Sequence, residues 1–251
     1  MSDTVDDFHS VWSEQTTPRR TSKKLITKLF PVHLLEQLKF ELHMLSVRIQ
    51  SNRASRKYRN HRDLLINVGA GYQGRSGWVN VDGFSAEGVD CVFDVRKRLP
   101  FSDDSARGIF SEHFFEHLDY TEEAPQFLSE CRRVLKPGGV LRLSVPDAER
   151  YLKAYAEGGW SSLAAIRPLD QQHSDGWYGW KYNTRMELIN FVFRQGQQHK
   201  FAYDYETLKF LMVKCGFRQI SKSQFGSSTL PELCIDQKKR ETESVYVEAI
   251  K

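Results

Sequence analysis

Cysteine is scarce in this chain, and the four it has (Cys91, Cys131, Cys215 and Cys234) lie far apart with no C-x-x-C pair. That spacing argues against a disulfide frame or a thiolate metal site, and leads us to expect reduced, mostly buried thiols in a cytoplasmic protein. Long apolar runs are also lacking: none approaches the ~18 residues of a membrane span. The first residues are acidic and polar, which argues against an ordinary secretory signal. A disorder-like composition is missing except at the N-terminus. Hydrophobic residues make up 40% of the 251, with 16 Phe, 10 Tyr and 5 Trp, ample for a packed core. The length suits one α/β domain with additions, or two small domains.

What is present is unevenly placed. The net charge of +4 hides a segment 1–18 at −4, a segment 19–62 at +10 and a remainder at −2. The basicity therefore belongs to an N-terminal extension, not to the main domain. A basic face of this kind can meet phosphate, anionic lipid (a peripheral membrane contact) or an acidic partner, and simple solvation accounts for it equally. Within it, Leu35, Leu38, Leu42, Leu45 and Ile49 recur at spacings of 3, 4, 3 and 4, which predicts a helix from about Pro31. This stripe is expected to pack on the main domain and leaves oligomeric state undecided. Residues 51–62 read as a polar connector or a frayed helix end.

From residue 63 the pattern becomes strand–helix alternation. LLINV, WVNVD (78–82), CVFDV (91–95), RGIFS (107–111), VLRLSVPD (140–147), FRQISKSQ (217–224) and SVYVEAI (244–250) read as strands. Residues 122–139 and 205–216 read as helices, the first stopped by Pro137-Gly138-Gly139. Such alternation specifies an α/β fold with a mainly parallel sheet covered on both faces. Residues 151–202 interrupt it, and an insertion over the strand carboxyl ends is where a substrate roof would sit. We therefore expect an extension over 1–62 and a catalytic domain over 63–251.

Gly69-Ala70-Gly71-Tyr72-Gln73-Gly74 fits G-x-G-x-x-G, the nominal dinucleotide fingerprint. That fingerprint requires a helix after the glycines and an acidic residue about 20 positions on. Here the next strand starts near Trp78, and Asp82 comes only eight residues after Gly74. Dinucleotide binding is disfavoured. Either the strand boundaries slip, or residues 72–77 cross between parallel strands without a helix, although such a crossover usually takes a dozen or more residues.

Taken in order, LLINVGAG, WVNVD, FDVRKRLPFSDDS, EHFFEHL and RRVLKPGGVLRLSVPD resemble the core of class I S-adenosylmethionine-dependent methyltransferases over about residues 63–150. The closest subgroup resembles small bacterial enzymes associated with polysaccharide and glycolipid biosynthesis. The resemblance implies a Rossmann-like sheet of seven strands, the last antiparallel, with S-adenosylmethionine as cofactor. It implies that Gly69, Ala70 and Gly71 approach the cofactor, that Asp82 accepts its ribose hydroxyls, and that Asp94 takes the adenine amino group. Leu99, with Pro100 and Phe101, would wall the adenine, and Glu112 would sit at the fourth strand's end beside the cofactor. Each acid has a cap or turn reading as its alternative, and the functional reading is favoured for Asp82 because open-sheet ligands bind at strand carboxyl ends.

His113-Phe114-Phe115-Glu116-His117 also matches H-x-x-E-H, a zinc-protease pattern. A zinc site would need a third ligand from a distant segment and a helix of useful length. This segment follows a strand directly, so no metal is assigned. His113 is the candidate general base for a hydroxyl acceptor, since histidine titrates near the working pH. Glu112 or Glu116 would orient its ring, and His199 is a second base or acceptor-binding candidate. Trp177, Tyr178, Trp180 and Tyr182 read either as a carbohydrate-stacking cluster or as a satellite core. The expected acceptor is a sugar or other small molecule. Nucleic acid is not expected, because residues 63–251 are slightly acidic.

Overall fold

The structure, a computed structural model, describes residues 31–168 and 182–251. The chain divides into two units, Met1–Ser46 and Val47–Lys251. The break falls inside a helix and earlier than the expected boundary at residue 63. No helix among the described residues is long and apolar enough to cross a membrane.

That helix, α1 (Val32–Tyr58), begins where the sequence places it and runs to Tyr58, into the stretch read as a polar connector or a frayed helix end. Leu38, Leu42, Leu45 and Ile49 are exposed, Ile49 at 73%, whereas Met44, Val47 and Tyr58 are buried. The helix is apolar on two sides. Met44, Val47, Ala54 and Tyr58 also lie on one helical face, and Tyr58 and Ala54 join the main core.

The sheet follows in chain order: β1 (Leu64–Val68), β2 (Val79–Asp82), β3 (Cys91–Val92), β4 (Ala106–Glu112), β5 (Leu135–Pro146), β6 (Gln219–Ser223) and β7 (Ser244–Ile250). Their order across the sheet is β3-β2-β1-β4-β5-β7-β6. Strands β1 to β5 pair in parallel, and β7 runs antiparallel to both β5 and β6. The expected fold is the observed one. β1 and β4 are almost wholly buried, as strands covered on both faces must be. Helix α2 (Glu123–Val134) ends before Pro137, because Leu135 already pairs with Ala106 at the start of β5.

Beyond β5, Asp147 accepts from the backbone N–H of Arg150 and caps α3 (Ala148–Ala156). Helices α4 (Ser161–Ile166) and α5 (Arg185–Arg194) follow. They share with α3 an apolar cluster of their own, including Tyr151, Leu163, Leu188 and Val192. Tyr182 packs there against Phe191, with ring centroids 5.8 Å apart; Trp177, Tyr178 and Trp180 lie outside the described residues. Helix α6 (Tyr205–Lys214) returns the chain to β6.

Candidate active site

The β1–β2 crossover contains turns and no helix, and two buried asparagines take the place of one. Asn67 and Asn80 are register partners in the parallel pair. Asn67 Nδ2 donates to Asn80 Oδ1 (3.2 Å) and to the Gln73 carbonyl (3.1 Å). Asn80 Oδ1 also accepts from the Arg75 N–H, and its Nδ2 donates to the Arg75 carbonyl and to Asp90. The loop is thus fastened at both Gln73 and Arg75 by side chains rising from the strands beneath.

This fastening presents the glycine turn. Gly69 and Gly71 both have positive φ, at 74° and 49°. At Gly69 the missing Cβ makes room for Phe114, whose side-chain carbons would lie 2.5–2.8 Å from an added methyl. The space on the Cβ side of Gly69 is therefore filled by Phe114. Gly71 has open space on that side. Ala70 is buried. Asp82, at the end of β2, accepts from the Gly71 N–H through Oδ2 and from the Phe84 N–H through Oδ1, both at 2.9 Å. Each oxygen keeps lone-pair capacity for a further donor. The exposed Phe84 ring two residues on offers a flat apolar surface that sequence reading missed.

Asp94 is placed differently from the expectation. Both of its oxygens are held by guanidinium groups, Arg48 Nε at 2.6 Å on Oδ2 and Arg96 on both oxygens at 2.9 and 3.1 Å. Burial pushes its carboxyl up, but the two arginines outweigh that and hold it below the usual range. Leu99 is a core residue, its N–H donating to Glu130 and its carbonyl accepting from Arg133. Asp94 and Leu99 line a cleft of about 820 Å³ with Arg56, Arg59 and Lys97. Neither the glycine turn nor His113 contributes to that cleft.

The fourth-strand segment brings the predicted catalytic residues together. His113 leaves β4 with φ at +50°, a left-handed conformation uncommon for a side-chain-bearing residue, and the chain then makes a short 3-10 turn, Phe115–His117. This turn aims His113 Nδ1 at Glu116 Oε1, 3.6 Å away. His199 Nε2 stands 3.9 Å from the same oxygen. His117 stacks edge-on against His199 with centroids 4.8 Å apart. Glu112 does not orient His113. Its carboxylate turns to Gln237, accepting from the backbone N–H and from Nε2.

Burial dominates the electrostatics. It pushes the Glu116 carboxyl up to about 8 and His117 and His199 down to about 4. His113 is driven well below the ordinary imidazole range, by burial first and by Arg240 next. All three imidazoles are therefore neutral at pH 7, and His113 Nε2 lies 2.7 Å from Ser244 Oγ.

Residues 80–143 match the family described as a methyltransferase domain. No curated protein matches the chain. Among solved structures, a possible exported protein of Bordetella parapertussis aligns at 13% identity, over 98% of this chain and 78% of its own, with a TM-score of 0.45. A SAM-dependent methyltransferase of Archaeoglobus fulgidus aligns at 18% identity, over 88% of this chain and 100% of its own, also at 0.45. An S-adenosylmethionine-dependent methyltransferase of Mesorhizobium loti aligns at 16% identity, over 76% and 92%, at 0.43. The family match falls across β2 to β5, so this part of the seven-stranded sheet is similar to a methyltransferase domain.

Proposed function

We propose that the domain methylates a hydroxyl of a small polyhydroxylated acceptor, a sugar or sugar-lipid precursor. The observation that carries this reading is the seating of Phe114 in the space left by Gly69. It joins the cofactor turn to the His113–His117 segment, so the donor and the proton-handling groups are held by one rigid unit.

Asp82 would accept the ribose hydroxyls, Gly71 would give the methionyl portion close backbone approach, and Phe84 would offer the adenine an apolar face. S-adenosylmethionine, when bound, would supply an activated methyl carbon for transfer to the acceptor oxygen. The acceptor hydroxyl would lose its proton toward His113, which is in the neutral, basic form because burial disfavours its imidazolium. Helices α3 to α5 serve as the roof that excludes water, and alignment in a dry site supplies much of the rate.

The test is formation of S-adenosylhomocysteine, followed by mass spectrometry, with panels of polyols, glycosides and amines. Turnover confined to hydroxyl acceptors supports the proposal; turnover only with amines contradicts it. Cofactor binding without turnover on any acceptor would favour a regulatory protein that has kept the fold.

A further inference from the structure

Glu116, His117 and His199 place one ligand atom each within 4.8 Å of one another, and this cluster is built in a way the proton-transfer reading does not use. Glu116 is 2% exposed, and neither carboxylate oxygen finds a hydrogen-bond partner in any other residue. A carboxylate buried without a partner is costly, and native structures retain such a group where something else satisfies it.

The two histidines supply the second half of the argument. His117 Nδ1 lies 3.2 Å from the Gln198 carbonyl, and His199 Nδ1 lies 2.6 Å from the Val192 carbonyl. A carbonyl only accepts, so each Nδ1 carries the proton and donates it. That fixes the tautomer and leaves Nε2 of each ring as the bare lone pair. Metal-binding histidines are held in this manner, with one ring N–H on a backbone carbonyl and the other nitrogen on the ion. The third ligand that H-x-x-E-H lacked in the sequence is His199, brought in from 82 residues beyond His117 by the loop after α5.

We propose that Glu116, His117 and His199 form a site for a divalent transition-metal ion. Two imidazoles and a carboxylate suit Zn²⁺, Mn²⁺, Fe²⁺ or Co²⁺ over Ca²⁺ or Mg²⁺. Around an ion with bonds of about 2.1 Å, neighbouring ligand atoms stand about 3.0–3.4 Å apart. The observed 3.9 Å between His199 Nε2 and Glu116 Oε1 therefore closes with a small side-chain adjustment. Three protein ligands leave positions open, and two adjacent acceptor oxygens fill them. The site therefore selects a vicinal diol, and the ion's charge eases loss of the hydroxyl proton toward His113. This role rests on the methyltransferase reading, whereas the binding of the ion does not.

The test uses the full-length, tag-free chain, stripped with chelator and dialysed against Zn²⁺, Mn²⁺ or Co²⁺, with metal counted by elemental mass spectrometry. One ion per chain is expected, and the Co²⁺ form should show ligand-field bands in the visible spectrum. H199A and E116Q should each weaken binding at least 100-fold. Affinity for S-adenosylhomocysteine, measured on the same samples, reports folding and tests the methyltransferase reading separately. The proposal is overturned if the folded wild-type chain retains no ion. It is equally overturned if H199A and E116Q, folded by that criterion, bind as tightly as wild type, or if Co²⁺ gives the spectrum of its hydrated ion.

Discussion

Asn67 and Asn80 meet across β1 and β2 with Asn67 Nδ2 3.2 Å from Asn80 Oδ1, and between them they hold the loop that stands where a crossover helix would be. Asn80→Ala leaves the Arg75 N–H, the Arg75 carbonyl and Asp90 short of a partner. A loss of about 2–4 kcal/mol is expected in urea unfolding, with weaker cofactor binding in the protein that remains folded. Unchanged stability would mean that the asparagines do not fasten the loop.

Gly69→Ala drives a methyl group into Phe114 at a residue whose φ is 74°. Stability should fall by about 1–3 kcal/mol, and affinity for S-adenosylhomocysteine should fall with it. Adding Phe114→Ala to this variant should recover only part of the loss, because the backbone strain remains. Full recovery would assign the whole effect to the clash.

Arg142 is wholly buried on β5, with Asp236 at 2.6 Å and Glu248 at 3.2 Å, and it also donates to the Ser227 and Gln224 carbonyls. Arg142→Met strands two buried carboxylates and releases the 224–236 loop. A cost of about 3–5 kcal/mol is expected. Calorimetry checks it, and a cost below 1 kcal/mol would contradict the account.

Asp94 predicts an acid-side dependence. Its folded pKa lies below the unfolded value of about 3.9. The stabilisation is therefore present above pH 4 and is lost as pH falls through the folded value. Asp94→Asn should be less stable than wild type by about 1–3 kcal/mol at pH 7. The gap should close toward pH 3, and unfolding at a series of pH values measures it.

The thiols should divide by burial. Burial pushes Cys91 up to about 12 and Cys131 well above its ordinary value, whereas Cys234 is exposed. Iodoacetamide at pH 8 should label Cys234 rapidly and leave Cys91 and Cys131 intact until the chain is unfolded, as peptide mass spectrometry would show.

The sequence is most informative where a local pattern has only one physical solution. Alternation of short apolar runs with helices led to the parallel sheet, and the seven residues between Gly74 and Asp82 argued against the dinucleotide fingerprint. It is least informative where two solutions share one pattern. On α1 the leucine stripe and the residues Met44, Val47, Ala54 and Tyr58 both repeat at helical spacing, so the pattern alone does not choose between them. Contacts far apart in the chain are equally hidden. Nothing local to Asn67 indicates Asn80 as its partner, and nothing in H-x-x-E-H indicates His199. Asp94 shows the converse: a motif position carries an acid, but the local arginines decide what that acid touches.

The central claim is that the Gly69–Gly71 turn and Asp82 hold S-adenosylmethionine. Isothermal titration of the purified chain with S-adenosylmethionine and with S-adenosylhomocysteine tests it most directly. We predict one binding site for each, weakened at least tenfold by Asp82→Ala in a variant that remains folded. No binding of either compound to the folded chain would contradict it.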